Sequence, residues 1–478
     1  MMQGRHLVAD IFYDIYYKRL TELGNDRGLG RAGTMHNALS KFIEASDIKD
    51  LWKPLPTPSR HSETKATAVD GGVRELELRD GSAIIIARAI AVNNTGEQPI
   101  KDVVVNWVPV FTPAIKWVLL SYVEGEVALR AIERGKYDFL LLDGSLYAKI
   151  TALIHELILT KGFLDLYYIP EVIRALENLY NVLDRARELG VNVIFMSKDS
   201  KLKIYKDYIL FKALKEIILS DVPFVNINKE LLDILNRGID WYSVVWIRNY
   251  RNKLIALAKN YNGSHRDLIR VGIRMALSQS ISDMMLLEEL IRMQGVRVGI
   301  TRKLLIGAMD AYLNHKSLIQ IDNLLKFIRD RIEDSAGLRT VDDYGNLNID
   351  EELGIVRRAL TEFPRILMMY VKFHDNDAPM AVEIPYYDWP LFNHSVPWKL
   401  FYDKIDISEH LALLMDMYRD PIHYNKLLWL AHEYANFGED QFLEYTMAAV
   451  NKLRIQTKRR FGMAFNIDLS PQSEDAQE

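Results

Sequence analysis

The run Asp138 to Leu146, DFLLLDGSL, restricts the possible folds more than any other stretch of this chain. Its apolar block is too short for a buried helix and suits a covered strand of a sheet. The DGS that follows turns the chain tightly and leaves the Asp143 carboxylate at the strand's end. Asp70, in ATAVDGG, repeats the arrangement: an apolar strand, then an acid, then glycine. Alone, a DGG is usually a hairpin aspartate bonded to its own turn. Two such strand ends together suit a divalent cation, since the strand fixes the carboxylate and glycine admits a phosphate backbone. The pair therefore points to metal-assisted phosphoryl chemistry.

The order of elements around these aspartates is informative. ATAVDGG, RELELRDGSAIIIARAIAVN and IKDVVVNWVPVF are β-branched or apolar runs separated by turn residues, which predicts a three-strand meander. A helix over Ala114 to Arg134, the Asp143 strand, a helix ending in PEVIRALENLYNVLDRARELG and the strand VNVIFMSKD follow. Three strands, helix, strand, helix, strand is the order of an α/β, ribonuclease H-like (PIWI-like) mixed sheet flanked by helices, whose later strands run parallel and offer their carboxyl ends to a ligand. From Lys201 to Ser335 the pattern is helical, without a strand signal, and predicts a large insertion. RILMMYVKFHD and APMAVEIPYYDW then predict a hairpin, followed by helices over Asp406 to Arg419, Pro421 to Phe437 and Glu439 to Lys458. The expected organisation is an N-terminal helical region and linker over 1–60, the core's first part over 61–200, the helical insertion over 201–352, the core's second part over 353–465 and a disordered acidic tail over 466–478.

Composition removes several chemistries. The chain has no Cys, which excludes disulfides, thiolate zinc sites and a cysteine nucleophile; any metal would sit on Asp, Glu or His and be a hard cation. No apolar run is long enough to span a membrane and the N-terminus lacks a signal peptide's pattern, so a soluble, cytoplasmic protein without membrane contact is expected. A net charge of −4 makes any nucleic-acid surface local, as at Arg248–Lys253 or Lys458–Arg460. There is no P-loop, no H-E-x-x-H around His155 and no G-x-S-x-G elbow.

Further candidates surround the two aspartates. Glu124, Glu126 and Glu133 lie on the helix between them, and Glu124 and Glu126 point about 200° apart, so they cannot share a site. Glu126 falls on the stripe of Ile115, Leu119, Tyr122 and Leu129, where a carboxylate is costly unless paired or metal-bound, and is preferred; Glu124 is the alternative. His432, in YNKLLWLAHEYANF, follows Tyr424 by eight residues, which on one helix sets the two about 80° apart. Lys198, closing VIFMSKD, is placed to meet a phosphate from DNA at the sheet's carboxyl edge.

VDGG, an acidic helix, LLLDGSL, SKDS, YVKFHDN with MAVEIP, and P-x-x-Y-x₇-H, in that order, resemble the NurA nucleases of archaea and some bacteria. The resemblance covers Lys65 to Ser200 and Arg365 to Asn436; the terminal motif departs from it by extra residues between Pro421 and Tyr424. It implies a DNA end-resection nuclease with 5′ to 3′ exonuclease and single-strand endonuclease activity, active as a homodimer with a HerA-type hexameric ATP-driven translocase. Asp70, Asp143 and Glu126 or Glu124 then match the carboxylates that hold two Mn²⁺ or Mg²⁺ ions, and Tyr424 and His432 the C-terminal catalytic pair, His432 as a further metal ligand. The N-terminal residues Ile11, Phe12, Ile15 and Tyr16 are candidates for a partner interface. A competing expectation is a non-catalytic DNA-end scaffold on the same core; a third is an RNA-directed nuclease of the Argonaute type.

Overall fold

The computed structural model describes residues 37, 39–44, 48–56, 64–109, 113–159, 168–198, 200–220, 229–241, 244–261, 263–278, 281–307, 318–336, 348–388 and 399–457. The N-terminal interface candidates, Lys458–Arg460 and the acidic tail lie outside these residues. The chain forms two compact units, one from 1–54 with 200–302, the other from 55–199 with 303–478. The second contains every described candidate site residue.

Among the described residues its sheet has nine strands: β1 (Ala66–Glu77), β2 (Ala83–Asn93), β3 (Ile100–Val108), β4 (Phe139–Asp143), β5 (Asn192–Ser197), β6 (Leu304–Ile306), β7 (Arg365–Lys372), β8 (Met380–Tyr386) and β9 (Lys399–Phe401). They lie in the order β3-β2-β1-β4-β5-β8-β7-β6-β9. The first three form an antiparallel meander, and β1, β4 and β5 run parallel. This is the ribonuclease H-like arrangement expected from the sequence. The hairpin β7–β8 extends it, with β8 antiparallel to β5. Parallel neighbours need helical crossovers: α1 (Pro113–Arg134) leads into β4, and α2 (Leu146–Leu159) with α3 (Ile169–Leu189) leads into β5. The other helices of this unit are α4 (Leu318–Ala336), α5 (Ile349–Glu362), α6 (Ser408–Met417), α7 (Lys426–Ala435) and α8 (Glu439–Leu453). Among the described residues no helix is long and apolar enough to cross a membrane.

Three expectations change. The first strand does not end at Asp70: β1 runs unbroken through Gly71 and Gly72, and the turn comes at Asp80–Ser82, where Gly81 has φ +91° and Asp80 Oδ1 accepts from Ser82 N. Both glycines were read as a turn, yet here they serve packing, described below. The helix expected from Pro421 starts at Lys426, because Asp420 turns the chain by accepting from the Ile422 and His423 amides, and Asn425 accepts from Leu427 N and Leu428 N as the helix cap. The stretch read as helical from Lys201 to Ser335 also includes two short strands. Gly299–Thr301 pairs with Trp52–Lys53 in the first unit, and Leu304–Ile306 is β6. Three-residue apolar strands are too short to show a period. Around them the first unit is helical, over Ile204–Ser220, Lys229–Trp241, Val244–Asn260, Arg266–Ala276 and Asp283–Gln294. In the Arg248–Lys253 basic cluster, Lys253 pairs with Glu230 at 2.5 Å.

The end of β4 is held by a buried acid from another strand. Glu383 of β8, 1 % exposed, accepts from Ser145 Oγ at 2.6 Å and from the Tyr147 amide at 2.8 Å, at the start of α2. Ser145 Oγ in turn accepts from Ala148 N. The turn that carries Asp143 is thereby tied to the neighbouring hairpin. Burial pushes the Glu383 carboxyl up to about 7, against the pull of its donors. A carboxyl raised on folding contributes stability that is full below its ordinary value near 4.5 and is lost as pH rises to about 7. Urea unfolding is therefore expected to show the wild-type chain losing roughly 3 kcal/mol relative to Glu383→Gln between those limits. A pH-independent difference would show that Glu383 is charged throughout.

Candidate active site

Parallel pairing of β1 with β4 matches Val69 to Leu142. The next residue on each strand is an aspartate, so Asp70 and Asp143 stand side by side where β4 ends. Asp70 is 4 % exposed; its Oδ1 accepts from the Gly71 amide and its Oδ2 faces His432 Nδ1 at 2.8 Å. Asp143 Oδ1 accepts from the buried Tyr424 hydroxyl at 2.5 Å. Tyr424 lies in the turn before α7 rather than on the helix, so the eight-residue spacing to His432 is spanned by a turn and two helical turns. It nonetheless delivers the two side chains to adjacent aspartates.

Two glycines let helices close on both faces of β1. A Cβ on Gly71 would stand 2.6 Å from Leu120 Cδ1 and 3.0 Å from Glu124 Cγ, both on α1. One on Gly72 would stand 2.4 Å from the Ala435 carbonyl at the end of α7. Successive strand residues face opposite sides, so Gly71 admits the helix with Glu124 and Gly72 the helix with His432. Arg88 of β2, opposite Gly72, donates to the Ala435 and Asn436 carbonyls at 2.8 and 2.7 Å and packs over the Phe437 ring. Asn425 reaches from the other end of α7 to the Met196 sulfur of β5. The helix is fastened at both ends.

Glu124 is the helix carboxylate that the fold brings to the aspartates. It is buried, and the charges of Asp70 and Asp143 act on it. Glu126 points away; its charge acts on Tyr122 and on Glu177 of α3. Glu133 faces Arg185 of α3. The preference for Glu126 rested on an apolar stripe, but α1 is covered both by the sheet and by α3, and only the sheet side meets the aspartates. Lys198, just past β5, sets its ammonium 5.1 Å from the Tyr424 ring centre.

Two contributors carried no motif signal. Lys149 in the first turn of α2 pairs with Glu124 at 2.5 Å, and Glu383 holds the turn after Asp143. A charged residue inside the buried run MAVEIP was the available sign of the second.

The site concentrates negative charge. Burial, and then the neighbouring Asp70, raise Asp143 above the usual carboxylate range; burial likewise raises Glu124, with Lys149 opposing and Asp70 adding. Burial and the Asp143 charge raise the Tyr424 hydroxyl, which keeps it a donor. The bond to Asp70 raises His432, favouring its charged form.

A family model supplies the remaining observation: the NurA domain matches residues 64–437, most of this chain and all the site residues. The chain belongs to the NurA domain family. It is similar to the crystal structure of the NurA nuclease from Sulfolobus solfataricus, at 14 % identity and TM-score 0.47, over 92 % of this chain and 97 % of that one. A NurA structure bound to dAMP and manganese matches at 14 % identity and TM-score 0.36, over 96 % and 99 %. A third NurA structure matches at 16 % identity and TM-score 0.40, over 90 % and 98 %. No curated protein shows a significant sequence match.

In this member of the NurA family the packing at Gly72 sets the distance between His432 and Asp70. Gly72→Ala meets a backbone carbonyl that no rotamer change relieves, so it is expected to lift α7, cost about 1–3 kcal/mol in urea unfolding and loosen the His432–Asp70 contact, read by NMR as a fall in the His432 pKa. Gly354→Ala, inside α5 with nothing within 4 Å, is the control expected to leave that contact unchanged and to add about 0.5–1 kcal/mol of stability.

Proposed function

We propose that this NurA-family chain is a divalent-cation-dependent deoxyribonuclease that hydrolyses phosphodiester bonds at DNA ends, by 5′ to 3′ exonuclease and single-strand endonuclease action. What supports the reading is the adjacency of Asp70 on β1 and Asp143 on β4, bonded to His432 and Tyr424, with the charges of both aspartates acting on Glu124 of α1. A scaffold that only gripped DNA has no need of buried, mutually repelling carboxylates, which raise the free energy of the fold.

The donor set suits Mn²⁺ or Mg²⁺: carboxylate oxygens, an imidazole and no thiolate. Among the described residues no three such side chains already surround a common point. Glu124 is drawn to Lys149, Asp143 to Tyr424 and Asp70 to His432. Burial, and with it the neighbouring carboxylate charge, raises Asp143 and Glu124, and a bound cation would oppose both shifts. Asp70, Asp143 and Glu124 would hold it, with His432 at the rim. When bound, the cation supplies an activated water and charge stabilisation of the departing oxygen.

The remaining roles belong to the chain itself. Tyr424 donates to Asp143 and fixes its carboxylate plane. His432, half exposed and with its charged form favoured by the bond to Asp70, can carry a proton at Nε2. Lys198 offers an ammonium to a phosphate beside Tyr424. With no ATP-binding loop in the sequence, translocation along DNA falls to a HerA-type hexameric ATPase, and the nuclease works as a homodimer.

The test incubates the full chain with 5′- or 3′-labelled single- and double-stranded DNA in Mn²⁺, Mg²⁺ or EDTA, beside Asp143→Asn. Cleavage is expected only with metal, lost in the variant while DNA binding persists. The labels read the polarity. DNA bound but never cut would leave the scaffold reading in its place.

A further inference from the structure

Lys149 stands where a lysine is disfavoured twice. It lies in the first turn of α2, its amide donating to the Ser145 carbonyl at 3.0 Å, and a helix N-terminus carries a partial positive charge that repels cations. It is also largely buried, with a side chain 20 % exposed, and burial favours the neutral amine. Helical side chains lean toward the N-terminus, and this one runs back over the DGS turn: a Cβ on Gly144 would lie 3.4 Å from Lys149 Cε. The ammonium ends on Glu124 Oε2. Burial is outweighed by the charges of Glu124, Asp143 and Asp70, which hold the amine above the ordinary lysine range. Lys149 thus sits in the acidic cluster for its charge, against both helix dipole and desolvation.

We propose that Lys149 is the resident counter-cation of the active site, a positioning residue whose ammonium occupies Glu124 until a divalent cation displaces it. This rests on the metal-binding reading above. Ammonium and metal ion compete for one carboxylate, so the lysine holds the three acids together in the metal-free protein and sets how tightly metal is taken up. An ion pair that merely braced α1 against α2 would have no such effect.

The test is calorimetric titration of the full chain with MnCl₂ after EDTA stripping. Lys149→Met, which keeps the stem and removes the charge, is expected to bind Mn²⁺ at least about tenfold more tightly, and Lys149→Arg to stay within about threefold of wild type. Unchanged or weaker binding by folded Lys149→Met would overturn the proposal. A measurement on the wild-type chain covers failure of the variant to fold: acylation of Lys149, read by peptide mass spectrometry, is expected to quicken at least about threefold when Mn²⁺ frees the amine. Equal rates with and without Mn²⁺ would overturn it as well. Uptake of Mn²⁺ by wild type that Asp143→Asn abolishes and Lys149→Met leaves unaltered removes only the role of the lysine. No uptake by wild type removes the metal site and this inference together.

Discussion

The site depends on the register of two parallel strands. Once Val69 lies beside Leu142, Asp70 and Asp143 have no choice but to stand together at the end of β4. A shift of one residue would turn one carboxylate to the opposite face of the sheet, since side chains alternate. Leu140 and Leu141 of β4, one on each face, are both fully buried, so apolar burial alone does not choose this register. The Glu383 clasp fixes where the strand stops and α2 begins.

Everything else at the site is a matter of how closely helices approach this strand pair. Gly71 and Gly72 are successive residues facing opposite sides, and each removes the methylene that would hold a helix away. Through Gly71 comes α1 with Glu124; through Gly72 comes α7 with His432. Arg88 and Asn425 then fasten the two ends of α7, and Tyr424, just before its cap, meets the other aspartate. One dipeptide in β1 thus accounts for the approach of two elements about 300 residues apart in the chain.

The price of this convergence is electrostatic. Asp143 and Glu124 are both raised above their usual range, first by burial and then with the neighbouring acids adding to it. Lys149, His432 and Tyr424 each relieve part of the imbalance by donating to one acid. What they leave is a net negative charge, the basis of the metal-binding proposal above.

Much of this could be read from residue order. Strand period, the LLLDGSL end, the meander and the later hairpin specify which elements form, because alternation and turn residues are local properties; Asp70, Asp143 and the Tyr424 to His432 spacing stood out for the same reason. The choice between Glu124 and Glu126 did not, because both lie on a helix covered on two sides and only the packing of α1 against β1 says which side meets the acids. Nor did the purpose of the VDGG glycines, since a turn and a close helix contact ask for the same missing side chain. Lys149 has no local sign and Glu383 only the lone charge inside MAVEIP, because their partners lie 25 and 238 residues away. The sequence by itself determined the strands, the turns and the acids at issue; tertiary packing alone decided which charges meet, because distance between side chains is set by the fold and not by position along the chain.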